Sequence, residues 1–128
     1  MTERELIARF ESCAVPNAGF HHRDHVQVVW AYLREMPVVE ALSRFTTSLK
    51  RFAVHHGKTM LYHETITWAY VALVHERMER HPGIGWDEFC RRNPDLLTWK
   101  PSILDRYYRP ETLASDLARR VFILPDRR

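Results

Sequence analysis

The sequence has little of what marks several common classes of protein. It contains four glycines and no low-complexity tract, which argues against linkers, disordered segments and repeat arrays. Its first residues carry no signal-peptide pattern, and no apolar run approaches the roughly 18 residues of a membrane span. Cys13 and Cys90 lie far apart and form no CxxC pattern. We therefore expect a cytoplasmic protein with reduced thiols and no membrane contact, although the sequence leaves a disulfide open.

Length and charge restrict the number of domains and the kinds of partner. A chain of 128 residues with 45% hydrophobic content suits one globular domain, residues 1–128, with a sizeable core. Residues 91–128 carry nine Lys and Arg against five Asp and Glu, whereas residues 1–90 carry ten against eleven. Such a basic segment can meet an anionic ligand, a partner or nucleic acid. The basic residues form no helical stripe, so a solvated face is favoured and nucleic acid ranks last.

A helix predicted from Tyr62 to about Arg80 is the centre of the chain. Its residues 68–74 are seven apolar side chains in a row, which indicates burial among other helices. On a helical wheel, His63 and Thr67 fall at the edge of the broad apolar face. Thr65 is expected to cap the helix or to lie outside. The first turn of the predicted main helix therefore places polar side chains at the edge of the face that is expected to pack in the core.

The rest of the chain also predicts helices. A capping-box pattern at Thr2–Glu5 begins a short first helix, and apolar residues at 3–4 spacing predict helices over about 22–35 and 37–55. Prolines at N1 positions predict two short helices, 101–108 and 110–120. The run Val121–Leu124 is expected to be extended chain that packs over the helices. The fold class is all-α: a single-domain bundle of about four longer helices, short C-terminal helices and an extended apolar tail.

Three of the eight histidines are predicted to point inward. His22 and His25 fall on the core stripe of the second helix, and His63 begins the central helix. Residues at i and i+3 are neighbours on a helix, and zinc binds neutral imidazole nitrogens in sites with three protein ligands. If the two helix starts meet, these residues would bind a divalent metal such as zinc. In the alternative interpretation, each ring bonds to a backbone carbonyl or to a nearby polar side chain such as Thr67.

Other residues complete the candidate site. Glu64 is the carboxylate nearest to His63 in sequence, so it is the candidate general base beside a metal-bound water. Its wheel position is off the core face, which favours a solvated role instead. Thr67 and Tyr70 lie on the same side as His63 and could contact a substrate. Lys100 is the candidate for holding an anionic group, from a Lys-, Arg- and Tyr-rich segment that a packed turn would equally explain. The remaining histidines are expected to be exposed or in turns: His21, His55, His56, His75 and His81.

Three phrases of the sequence carry a family resemblance. They are Phe20-His-His-Arg-Asp-His25, Tyr62-His-Glu-Thr-Ile-Thr67 and Trp99-Lys-Pro-Ser-Ile-Leu-Asp-Arg-Tyr-Tyr-Arg-Pro110. Together they resemble a group of small bacterial all-helical proteins of unknown function. The resemblance covers most of the chain and implies no activity, because none is assigned to the group.

Three functions stay open from the sequence. The first is a small metal-dependent enzyme or metal-binding protein that uses the three inward histidines. The second is a metal-free pocket that binds or isomerises a small anionic ligand, with imidazoles as acid, base or hydrogen-bond donor near pH 7. The third is an interaction module without chemistry. The sequence decides neither whether the protein is an enzyme nor its oligomeric state.

Overall fold

The computed structural model describes residues 1–15 and 20–127. Within these residues the regular structure is helical, and the all-α prediction is confirmed. The α-helices are α1 (Glu3–Glu11), α2 (His22–Glu35), α3 (Val38–His55), α4 (Glu64–Arg80), α5 (Trp86–Arg92), α6 (Pro94–Leu97), α7 (Pro110–Leu113) and α8 (Asp116–Arg120). Short 3₁₀ turns span Thr59–Leu61 and Ile103–Arg106. None of the helices described here combines the length and apolar character needed to cross a membrane.

The helix ends follow from local hydrogen bonds. The Thr2 hydroxyl accepts the backbone N–H of Glu5 at 3.1 Å and so caps the start of α1. Helix α4 begins two residues later than predicted, because His63 occupies its N-cap position. The Nδ1 atom of His63 accepts the N–H of Ile66 at 3.1 Å, which satisfies a donor that the first turn leaves free. A histidine that caps a helix was not among the sequence expectations for this residue.

The core lies where α2 meets its neighbours. Helix α2 contacts α1, α3, α4 and α6, and its Val26, Val28 and Ala31 are almost fully buried. Phe10 of α1 stacks on two aromatic rings of α3, those of Phe45 and Phe52, with centroid distances of 5.7 and 5.4 Å. Each buried side chain of this size stabilises the fold by about 1.5–3 kcal/mol. The rigid wall that results forms one side of the pocket described below.

The two short C-terminal helices were predicted too long. Residues 101–108 contain only the 3₁₀ turn Ile103–Arg106, and the predicted helix 110–120 is broken into α7 and α8. The break is at Ser115, whose hydroxyl accepts the N–H of Ala118 at 3.1 Å and thereby starts a new helix. A serine inside a helical pattern competes with the helix in this way because its hydroxyl can bond to the local backbone.

The extended tail is tied to α4 through Thr65, which is wholly buried and neither caps the helix nor lies outside. The Thr65 hydroxyl donates to the carbonyl of Val121 at 2.8 Å and accepts the N–H of Ile123 at 3.1 Å. Nearby, Phe122 stacks on Trp68 with a centroid distance of 5.3 Å, and Tyr108 donates to the Ile123 carbonyl at 2.7 Å. Residues 121–123 therefore cover α4 at Thr65 and Trp68.

An ion pair fixes the short helices near the pocket. Arg77 of α4 bonds to both carboxylate oxygens of Asp95 at 2.9 and 3.0 Å, and to Asn93 at 2.9 Å. The hydrogen bond from Arg77 lowers the pKa of the Asp95 carboxyl. Leu96, the next residue, is fully buried and its carbonyl group reaches the site. The pair thus holds in place a backbone acceptor on which a candidate histidine depends.

Candidate ligand pocket

A pocket of about 420 Å³ lies between α2, α3 and α4. It is bounded by the N-terminal turns of α2 and α4, so the two helix starts do meet at one place, as the sequence argument required. Six of its 18 lining residues are aromatic: Phe20, Phe45, Phe52, Tyr62, Tyr70 and Trp99. The polar part of the wall consists chiefly of four imidazoles and a lysine: His22, His25, His56, His63 and Lys58. This volume and mixture are typical of a site for a small organic molecule.

His22 lies under the indole ring of Trp99. Its Nε2 donates a hydrogen bond to the Leu96 carbonyl at 2.8 Å, and its ring lies 4.7 Å from that of Tyr70 and 5.1 Å from that of Trp99. Burial lowers the pKa of His22, and the bond to Leu96 opposes that effect only in part. Because Nε2 carries the proton, Nδ1 of the neutral ring is left as an acceptor.

His25 is the most strongly perturbed group of the pocket. Burial lowers its pKa to about 4, and the charge of His22 adds to the effect, whereas Asp24 opposes it. The ring is packed 4.5 Å from Phe20 and forms no hydrogen bond with any residue that the structure describes. His25 is therefore a neutral imidazole at pH 7, surrounded by protein and open only to the pocket, with one donor and one acceptor to offer.

Both ring nitrogens of His63 are already in use. Its Nε2 donates to the Leu113 carbonyl at 2.8 Å, while Nδ1 accepts the Ile66 N–H. Thr67 donates to the His63 carbonyl at 2.7 Å and completes the first turn. His63 is thus a structural cap whose ring carbons face the pocket, which is the alternative that the sequence left open.

This arrangement bears on the predicted metal site. Among residues 1–15 and 20–127, no three His, Cys, Asp or Glu side chains are placed to hold one ion. To bind a metal through one ring nitrogen, His63 would have to give up the hydrogen bond of that nitrogen, and the present positions of His22, His25 and His63 do not fit a shared ion. Zinc binding by these three histidines therefore stays a prediction.

The predicted carboxylate faces away from the imidazoles. Glu64 accepts a hydrogen bond from the Tyr62 hydroxyl at 2.5 Å and is not part of the pocket wall. Burial and this bond raise the pKa of the Tyr62 phenol. Glu64 therefore orients a tyrosine of the wall, and its role as a general base stays a prediction that this geometry does not favour.

The predicted substrate-binding residues divide between the wall and the surface. Thr67 and Tyr70 line the pocket, and the Tyr70 hydroxyl shares a hydrogen bond with Ser102 at 2.8 Å. Lys100 is exposed and lies outside the wall, so this placement does not support its predicted contact with a ligand. The lysine that does line the pocket is Lys58, just before the 3₁₀ turn at Thr59–Leu61.

His56 lies in the turn after α3, as the sequence predicts, but it is not on the open surface. Its ring lines the pocket 4.4 Å from that of Phe52. Its Nε2 is shielded from solvent and has no hydrogen-bond partner among the described residues. Leaving such a group unpaired costs about 1–3 kcal/mol. The sequence does contain a sign that His56 faces the pocket, because position 56 continues the 3–4 spacing of Phe45, Leu49 and Phe52.

In comparisons with protein-family models, curated proteins and solved structures, the chain gives no significant match. The family resemblance of the three sequence phrases accordingly stays a prediction. Function must be argued from the pocket itself.

Proposed function

We propose that this protein binds a small, largely apolar organic molecule in the pocket between α2, α3 and α4. The observation that carries the proposal is the combination of an aromatic wall with imidazole nitrogens that lack partners. His25 and the Nε2 of His56 form no hydrogen bond with a described residue, although the fold satisfies the nearby His63 completely. Unpaired buried polar groups are rare in proteins and mark places where a ligand or water completes the pairing.

The charge of the wall restricts the class of ligand. Lys58 lines the pocket, and no Asp or Glu among the described residues does. A cationic ligand would therefore enter without a counter-charge, which is costly in an apolar site. The interior imidazole of His25 is neutral at pH 7 because burial lowers its pKa to about 4. A neutral or anionic molecule with an apolar body is what this wall suits.

Thermal stability measured against a library of small molecules tests the proposal. At a free concentration tenfold above Kd, a ligand of the native state adds about 1.4 kcal/mol, which is a rise of about 5 °C in Tm. We expect such a rise for apolar compounds of suitable size and its loss in Ala53→Trp, because Ala53 lines the pocket. Ala72→Trp, on the exposed surface of α4, is the matched control. The proposal fails if no compound stabilises the protein, or if Ala53→Trp responds as the wild type does.

The metal hypothesis has its own test. Protein purified without a histidine tag is analysed for metal content, and its Tm is measured with and without added zinc, manganese, iron or nickel. A metal site predicts stoichiometric metal and a rise in Tm that His22→Ala and His25→Ala each abolish. Trace metal together with an unchanged Tm would remove the hypothesis and leave the metal-free pocket.

A further inference from the structure

The two ends of the pocket differ in exposure. At the closed end, Val26, Val29 and Phe45 are each at most 3% exposed. At the open end, Leu61 is 72% and Trp99 is 45% exposed, and Lys58 is also exposed. A molecule that fills this space has one end in a dry apolar environment and the other beside water. Such a pocket suits an amphiphile, which has an apolar body and one polar end.

The polar groups of the open end have one sign of charge. Lys58 lies in the wall, and the ammonium of Lys50 lies 5.0 Å from the ring of Tyr62, which is also in the wall. The nearest acids of the adjoining helix starts are engaged elsewhere. Asp24 accepts the His21 N–H at 2.9 Å, and Glu64 accepts the Tyr62 hydroxyl at 2.5 Å. Neither Asp24 nor Glu64 lines the pocket, so Lys58 has no counter-charge within the described part of the wall.

His56 lies two residues before Lys58, and its ring belongs to the same wall. The Nε2 that lacks a partner is on this ring, but the surrounding protein shields that atom. A half-turn about the Cβ–Cγ bond exchanges Nε2 with Cε1 and leaves the ring in place, so the ring can present Nε2 to a bound ligand without repacking. A ligand oxygen beside the ring would supply the missing hydrogen bond.

The volume of the pocket limits the size of the ligand. A volume of about 420 Å³ holds a ligand of roughly a dozen non-hydrogen atoms, if each takes up about the 30 Å³ of a water molecule. One cation in the wall matches one negative charge on the ligand. Resting on the proposed function, we infer that the ligand is a hydrophobic monocarboxylate, held with its carboxylate between Lys58 and His56 and its apolar body toward Val29 and Phe45.

Calorimetric titration of the full chain with octanoate and with octanamide tests this inference. The two probes have the same number of non-hydrogen atoms and differ in charge. We expect octanoate to bind about fivefold more tightly than octanamide, as for an ion pair near the surface. Lys58→Gln should remove the difference, whereas Lys100→Gln, a lysine outside the wall, should preserve it. The difference should also shrink as salt is raised.

A second pair of variants tests the role of His56. His56→Leu removes the unpaired nitrogen, so the free protein should melt at a higher temperature while its preference for octanoate falls. His55→Leu, at the exposed neighbouring position, should leave that preference unchanged. Equal affinity for the two probes, equal effects of Lys58→Gln and Lys100→Gln, or an intact preference in His56→Leu would each overturn the inference. In those cases the proposed binding of a small organic molecule still stands. If no compound of any charge binds, both the proposed function and the inferred monocarboxylate ligand are overturned.

Discussion

Replacing His25 by leucine should make the protein much less sensitive to acid. In the unfolded chain His25 takes up its proton near pH 6.5, whereas in the folded state burial lowers its pKa to about 4. The folded state therefore binds fewer protons than the unfolded state between these values, so stability is fully present above pH 6.5 and falls as the pH approaches 4. A difference of this size corresponds to at most about 3 kcal/mol of unfolding free energy.

Urea denaturation at several pH values measures this effect. The wild-type free energy of unfolding should fall steeply between pH 6.5 and pH 4, and the difference between wild type and His25→Leu should change over the same range. His55→Gln is the control, because its exposed side chain should leave the wild-type profile in place. Parallel profiles for the wild type and His25→Leu would show that His25 titrates alike in both states, contrary to its position in the pocket wall. Burial also lowers the pKa of His22, which should add a smaller slope of the same sign.

Replacing Thr65 by valine should destabilise the protein by about 2–3 kcal/mol, although the two side chains have almost the same shape. The Thr65 hydroxyl serves the carbonyl of Val121 and the N–H of Ile123, and the residue is fully buried. Valine leaves two backbone groups without a partner in the same place, and each costs about 1–3 kcal/mol when water does not replace the bond. Unfolding by urea gives the free energy, with Thr47→Val at an exposed position of α3 as the control.

Proteolysis distinguishes a local from a global effect of this change. If the tail detaches while the bundle stays folded, Thr65→Val should speed tryptic cleavage after Arg119 and Arg120 more than cleavage elsewhere in the chain. A Thr65→Val protein as stable as the wild type, with an unchanged cleavage rate, would mean that water or a shift of the tail restores both bonds. In that event the tail would contribute little to the stability of α4.

The long helices could be predicted because each has one apolar stripe. The structure places α2 at the predicted residues 22–35, and α3 within one residue of 37–55. That Thr67 and Tyr70 lie on one face of α4 also follows from the 3.6-residue period, whereas the meeting of the two helix starts was only a condition of the sequence argument. These features depend on contacts that recur along the sequence. The periodic pattern is therefore sufficient to find them.

The features that could not be predicted depend on contacts between residues far apart in the sequence. Thr65 is buried by residues 56 and 58 positions away, and His63 is satisfied by a carbonyl 50 positions away. Nothing in the local pattern distinguishes a threonine that receives a tail from one that faces water. Lys58 and Lys100 look equivalent in sequence, and only the path of the chain places the first of them in the wall. His56 is different, because it continues the spacing of Phe45, Leu49 and Phe52 although it lies in the turn beyond α3.

The attachment of the tail at Thr65 also has a consequence for synthesis. Until residues 121–123 have been added and have left the ribosome, α4 has one side uncovered and a hydroxyl that has neither of its backbone partners. Nascent chains of that length carry exposed apolar surface where Phe122 will later stack on Trp68. That exposure ends only when two late backbone groups, the carbonyl of Val121 and the N–H of Ile123, reach one early side chain.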